Sequence, residues 1–430
     1  MAACFYLAFL DLYPKLPEAL RAAEKLTLPP WGMLTGVRPD KPITRALMEG
    51  KTPEEAKREL KARYFVPEER AALALETGAV GYQALKRLEK RDIDLYVGIP
   101  FCPTRCAYCS FVSQSVERSF SLVEPYVKAL IAEIRAGGEM VRKNHLRPLT
   151  FYIGGGTPTS LSADQLRQLM GTMAEQFDLP ALEEFTVEAG RPDCTDEEKL
   201  RIIKEYGATR ISINPQTFSD EVLRNIGRRH TAQDILDCYR TARRVGHDNI
   251  NMDLIAGLPG DTVEGFRHSL QTAIDLDPEN ITVHTLTLKR ASNLVVEHRA
   301  ADYADVAAMV ESCELLEKAG YRPYYLYRQK GTLQNLENVG WCKPGYECLY
   351  NIYIMEEVHT ILSAGAGGST KLVAPGARHG KIERIFNYKY PTEYIDRFDT
   401  ILARKEGVKQ FYDQYPNCGE SARPQAHGGV

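Results

Sequence analysis

From residue 94 the chain alternates short β-rich runs with amphipathic stretches, and this grammar constrains its fold more than any other feature. The runs are Leu95 to Ile99, Thr150 to Ile153, Glu184 to Val187, Thr209 to Ile213, Asn249 to Ile255 and Asn280 to Leu286. The segments between them carry apolar residues at helical spacing, for example Tyr126, Leu130, Ile131 and Ile134. Strands separated by helices predict right-handed βαβ units and a parallel sheet. These runs are fewer than the eight units that close a barrel, so an α/β fold in the form of an open, partial (β/α)6 TIM-like barrel is expected. In barrels and open α/β sheets alike, ligands sit at the C-terminal strand ends. Chemically unusual residues fall there in order: Cys102, then Gly154-Gly155-Gly156, Glu188, Gln216 and Asp253.

The flanks read differently. Residues 1–90 are expected to form a helical extension, with Pro53 opening a charged run of good helix formers. Within it, Trp31 to Pro42 carries two glycines and reads as an ordered loop. Residues 91–291 form the βα core. Residues 292–416 read as a smaller α+β C-terminal domain, with a helix over roughly 301–319, a strand-like tyrosine run from Tyr321 to Tyr327, and a Gly-rich loop from Ser363 to Lys371. Residues 417–430 read as a disordered tail.

Charge and cysteine usage narrow the function classes. Lys plus Arg number 54 against 57 Asp plus Glu, a net charge of −3. That balance argues against a nucleic-acid coat, so an anionic ligand must be met by a local group of cations. Ten cysteines in 430 residues are too dilute for a disulfide-stapled scaffold. The apolar first ten residues are too short to span a membrane and poorly built for a signal peptide. A cytoplasmic, reduced protein without a membrane span is expected.

The strongest chemical signal is Cys102-Pro103-Thr104-Arg105-Cys106-Ala107-Tyr108-Cys109. Three thiolates at CxxxCxxC spacing can hold three irons of a 4Fe-4S cluster and leave the fourth iron open to a chelating small molecule. Arg105 and nearby backbone N–H groups would favour the thiolate forms. A zinc site is the other reading, although no second ligand pair follows Cys109 at a longer interval. Gly154-Gly155-Gly156-Thr157-Pro158 would let the backbone approach a ligand without a Cβ in the way.

Together these motifs resemble the radical S-adenosylmethionine (SAM) superfamily. Leu95-Tyr96-Val97-Gly98-Ile99-Pro100-Phe101-Cys102 and Asn251-Met252-Asp253-Leu254-Ile255-Ala256-Gly257-Leu258-Pro259 resemble the oxygen-independent coproporphyrinogen III oxidase (HemN-like) family. The stretches Pro30 to Pro39 and Gly365 to Lys371 are similar to its HemZ subfamily. The resemblance implies that Cys102, Cys106 and Cys109 ligate a 4Fe-4S cluster. It implies SAM binding by Tyr96, Gly154, Gly155, Gly156, Glu188, Gln216, Arg228 and Asp253, with Glu188 and Gln216 at the ribose and Arg228 at the carboxylate. The implied reaction is radical decarboxylation of two propionates of coproporphyrinogen III to vinyl groups, with electrons from a reductase or a flavodoxin- or ferredoxin-type donor. Arg38, Lys41, Lys289, Arg290, Arg328 and Lys371 would meet the substrate carboxylates, and His284, at the end of the sixth strand, is either a further contact or a core histidine.

Two positions depart from the family pattern. Phe111 stands where the oxidases carry a fourth cysteine, and the heme-chaperone (HemW-like) branch has an aromatic there. That branch also carries an HNxxYW heme motif, and here the matching stretch is Tyr350-Asn351-Ile352-Tyr353-Ile354-Met355. Cys342 and Cys348 read as half-buried core thiols rather than metal or heme ligands. The expected function is therefore the oxidase, with a heme-trafficking protein or a radical SAM enzyme on another substrate, such as a methyltransferase, as alternatives.

Overall fold

The computed structural model describes residues 2–23, 28–111, 113–290, 292–296, 305–374 and 381–414. The expected tail at 417–430, and the start of the helix expected over 301–319, lie outside them. The rest of that helix is two short ones, Val306–Glu311 and Glu314–Lys318.

The six expected strands form as β1 (Asp92–Ile99), β4 (Arg147–Gly155), β5 (Glu184–Glu188), β6 (Arg210–Ser212), β7 (Ile250–Ala256) and β8 (Asn280–Thr285). They pair in chain order and in parallel. Two short strands, β2 (Phe101–Cys102) and β3 (Gln114–Ser115), pair with each other and bracket the cysteine loop. Later strands extend the sheet at both ends: β9 (Arg322–Tyr327), β10 (Asn338–Cys342), β11 (Thr360–Ala364), β12 (Ser369–Val373) and β13 (Ile382–Phe386). The order is β13-β12-β11-β1-β4-β5-β6-β7-β8-β10-β9. The C-terminal segment thus completes the core sheet on both edges. β11 joins β1 in parallel, while the remaining added strands pair antiparallel.

The crossover helices follow local rules. The helix Ala163–Gln176 starts at a capping box between Ser162 and Gln165, and it buries Leu166, Leu169, Met170 and Met173 on one face. The helix Ala232–Val245 starts at a Thr231–Asp234 box and stops at Gly246, whose φ of +101° is the left-handed geometry of a helix end. Each buried aliphatic side chain contributes about 1.5–3 kcal/mol by leaving water. Along each strand one face meets these helices and the other looks inward. In the β1–β4 register Leu95 and Phe151 face the helices, whereas Tyr96 and Tyr152 face the interior.

The N-terminal extension is helical, as expected. It includes Lys41–Met48, Pro53–Tyr64 and Glu68–Lys86. Trp31 is buried and donates its indole N–H to Glu337 at 2.8 Å, and Arg70 pairs with the same carboxylate at 3.2 Å. The extension is thereby fastened beside β10.

Candidate functional site

The inward faces of β1, β4–β13 and one helix surround a cavity of about 790 Å³. The helix Leu349–Glu356 forms its floor, where Tyr350, Asn351, Ile354 and Met355 line it. The carboxylate of Glu184 accepts from Leu349 N at 2.7 Å and so caps that helix. Tyr350 stacks on Tyr152 at 4.6 Å and lies 6.3 Å from Tyr96.

Cys102, Cys106 and Cys109 sit together at the cavity wall as free thiols. The short β2–β3 pair closes the base of their loop. Thr157 Oγ1 lies 3.6 Å from Cys102 Sγ, and Arg191 Nη1 donates to Cys106 Sγ at 3.6 Å. Burial pushes the Cys102 thiol up and the Cys109 thiol up to about 11. A bound metal centre is what would draw these protons off. Gly156 fits against the loop so closely that an added Cβ would lie 2.5 Å from Phe101 O and 2.9 Å from Cys102 Sγ.

The donor set suits an iron–sulfur cluster carrying one thiolate on each of three irons. Among the described residues, no three or more His, Cys, Asp and Glu side chains already converge as the ligands of a metal ion. The surroundings also suit an anionic ligand beside the thiols. Arg228 is 7% exposed, donates to Asn214 O at 2.6 Å and to Tyr108 OH at 3.3 Å, and leaves its Nε buried without a partner in the protein. An orphaned buried donor is costly and marks a place for a bound acceptor.

The strand-end residues gather as the sequence suggested. Glu188 accepts from Asn214 Nδ2 at 2.9 Å and from Tyr152 OH. Burial, reinforced by the Asp253 charge, pushes its carboxyl up to about 7. Burial also works against the Asp253 charge, but hydrogen bonding from His284 and Asn251 and the Arg210 charge outweigh it and hold that carboxyl below its ordinary value. One carboxyl is thus biased toward the neutral form and the other toward the charged form. Gln216 occupies the left-handed region at φ +69°, donating its N–H to Asp253 O at 2.8 Å and accepting from Ile255 N at 3.0 Å. This aims a non-glycine side chain into the cavity at a strained backbone position. His284 lies 3.6 Å from Asp253 and 3.2 Å from Tyr327 OH.

Of the SAM-binding candidates, Tyr96, Gly155, Gly156, Glu188, Gln216, Arg228 and Asp253 line the cavity, and Gly154 does not. The pleat puts Gly154 on the same inward face as Tyr152, but the Tyr152 and Glu188 side chains cover it: an added Cβ would meet them at 2.9 Å and 3.5 Å. Its bareness makes room for those neighbours. Of the substrate candidates, Arg38, His284, Lys289 and Lys371 line the cavity. Lys41, Arg328 and Arg290 do not. Lys41 bonds the Glu356 carbonyl in a second cavity, Arg328 is committed to Leu34 O at 2.9 Å, and Arg290 is exposed. Cys342 and Cys348 are fully buried rather than half-buried, because β10 and the floor helix enclose them.

Several lining residues carried no sequence signal. Arg191 follows Glu188 by three residues in the same strand-end loop, and a wider window there would have found it. Arg384 and Glu357 pair at 3.0 Å, Glu357 also binds Arg38, and Lys371 lies beside them with burial pulling its ammonium down to about 8. This polar group assembles segments more than 300 residues apart in the chain.

Comparison with known proteins agrees with this geometry. The radical SAM superfamily model matches residues 96–273. The chain is 43% identical over 382 residues to the oxygen-independent coproporphyrinogen-III oxidase-like protein HemZ of Bacillus subtilis, covering 87% of this chain and 76% of that one. It is 41% identical over 337 residues to the heme chaperone HemW of the same organism, covering 76% and 84%. The solved coproporphyrinogen III oxidase (HemN) of Escherichia coli shares the fold, with a TM-score of 0.56 and 22% identity over 77% of this chain and 72% of that one. The cofactors of the superfamily are a 4Fe-4S cluster and SAM, and the thiol triad and the cavity beside it fit both. The chain belongs to the radical SAM superfamily and, within it, to the HemN-like family with particular similarity to HemZ.

Proposed function

We propose that the protein catalyses oxygen-independent oxidative decarboxylation of coproporphyrinogen III to protoporphyrinogen IX in the cytoplasm. The observation that carries this reading is a single cavity lined both by the thiol triad and by the cations Arg38, Lys289, Lys371 and Arg384. Such a cavity can hold a polycarboxylate with one reacting side chain toward the cofactor end and the others at the cations.

In this reading Cys102, Cys106 and Cys109 hold the cluster. Tyr96, Gly155, Gly156, Glu188, Gln216, Arg228 and Asp253 hold SAM. When bound, these cofactors supply a radical able to abstract hydrogen from an unactivated carbon. Each reacting propionate loses one hydrogen atom, one carbon dioxide and one electron, and becomes a vinyl group. The electron leaves to a one-electron acceptor. Arg228 offers its free Nε to a carboxylate, and Glu188 and Asn214 offer an acceptor and an amide to hydroxyls. The floor helix and its stacked tyrosines exclude water from below. The core at 91–291 carries the cofactor residues, and within 292–416 the floor helix and strands β9–β13 supply further lining of the cavity.

Anaerobic protein with reductant, SAM and coproporphyrinogen III should release carbon dioxide, 5′-deoxyadenosine and a divinyl product, and Cys102→Ala should abolish all three. Phe111, 64% exposed beside the cysteine loop, favours a second reading as a heme-trafficking protein, since the chaperone branch has an aromatic there. Tight heme binding with no carbon dioxide released would establish that second reading and end the first.

A further inference from the structure

A second cavity, of about 1260 Å³, lies between the N-terminal helices and the β12–β13 edge of the sheet. It exceeds the roughly 300–1,000 Å³ typical of small-molecule sites. Leu34, Leu60 and Val373 give it apolar walls, and Lys41, Arg45, Lys51 and Arg63 add cations. Arg38 and Glu357 line both this cavity and the thiol-bearing one, so their ion pair stands between the two.

The charges here are unevenly matched. Arg45 and Lys51 are taken up by Glu49 and Glu59. Lys41 bonds the Glu356 backbone carbonyl at 3.3 Å, with its charge felt by the Glu356 and Glu357 carboxyls but no hydrogen bond to either, and Arg63 lies over the Tyr64 ring, 5.2 Å from its centroid. The deeper acids are muted. Burial raises Glu356, and burial together with the Glu356 charge pushes neighbouring Asp40 up to about 8. A chamber with partly apolar walls and an excess of cations over charged carboxylates is complementary to a large apolar body bearing carboxylates.

We propose that this chamber is a second tetrapyrrole-carboxylate site, reached from the first when a ligand carboxylate replaces Glu357 on Arg38. The ligand class rests on the function proposed above; the chamber and its charges do not. Substrate waiting here, or product leaving, would pass between the chambers by exchange of one carboxylate for another on the same guanidinium: the Arg38–Glu357 pair opens, Glu357 keeps Arg384, and no covalent bond is broken.

The test is anaerobic titration of cluster- and SAM-loaded protein with coproporphyrin III, the fluorescent oxidised macrocycle. Two porphyrins per chain are expected. The Lys41→Glu, Arg63→Glu double variant should weaken one of the two by tenfold or more. Met48→Glu, at an exposed lining position, should do the same and guards against misfolding of the double variant. One porphyrin per wild-type chain, or two that neither variant affects, overturns the proposal. Turnover of coproporphyrinogen III is measured separately. Turnover with one bound porphyrin leaves the function standing and removes the second site, while two bound porphyrins without turnover do the reverse.

Discussion

Gly156 shows how a single missing side chain can shape the cofactor site. Its backbone lies against the Cys102 loop, where a methyl group would come within 2.5 Å of a carbonyl oxygen and 2.9 Å of the thiol. Neither backbone nor thiol can yield without moving the loop. Gly156→Ala is therefore expected to cut cluster loading at least severalfold, read as iron per chain and visible absorbance, while far-ultraviolet circular dichroism stays unchanged. Unaltered iron content would show that the loop has slack. Glu188 makes a second case. Its partners Asn214 and Tyr152 orient it, and an ordinary hydrogen bond contributes about 0.5–1.5 kcal/mol. Glu188→Gln should weaken SAM about tenfold or more by equilibrium binding, with the cluster spectrum retained. Both residues stood out in the sequence, because strand-end position and residue type are local properties. Asn214 and Arg191 did not, because an asparagine and an arginine in loops are ordinary until their neighbours are known.

At the scale of elements, a buried carboxylate ties the Gly-rich loop to three helices. Glu133, from the helix Val116–Lys143, accepts from Gly365 N and Asn387 Nδ2 at 2.8 Å each and pairs with Lys405 at 2.7 Å; Tyr394 OH binds it too. Lys405 comes from the helix Phe398–Asp413, and Tyr394 from Pro391–Asp396. Gly365 itself needs φ +98° and a bare α-carbon, since a Cβ would lie 2.3 Å from Gly98 O. Removing one partner of a buried pair strands the other charge, at about 3–5 kcal/mol. Glu133→Ala is expected to lose that much in denaturant unfolding, and a change under about 1 kcal/mol would mean that Lys405 finds water. The strands and crossover helices themselves were legible, since period-2 and period-3.6 patterns and caps such as Thr231–Asp234 are written locally. The network around Glu133 was not, since nothing in one segment records its partners in another.

Across the whole molecule, the N-terminal extension and the floor helix meet through two buried acids. Thr44 donates to Glu356 at 3.1 Å, and Asp40 lies near enough for the Glu356 charge to help burial raise it from about 4 to about 8. The folded state therefore binds a proton at Asp40 over a range in which the unfolded chain has released it. Stability from this group is complete below about pH 4 and falls as pH rises through about 8. The stability of the wild type relative to Asp40→Asn should accordingly decline between those limits in thermal unfolding. A difference independent of pH would show that Asp40 stays charged.

What the sequence determined by itself was the βα order, the cysteine loop and, Gly154 aside, which strand-end residues face one site. These follow from short-range periodicity and side-chain chemistry. The tertiary structure decided where the C-terminal strands pair, that Lys41, Arg290 and Arg328 stand apart from the thiol-bearing cavity, and that Arg38 meets Glu357 between two chambers. Those outcomes depend on which distant segments share a buried surface, and burial is a property of the assembled chain.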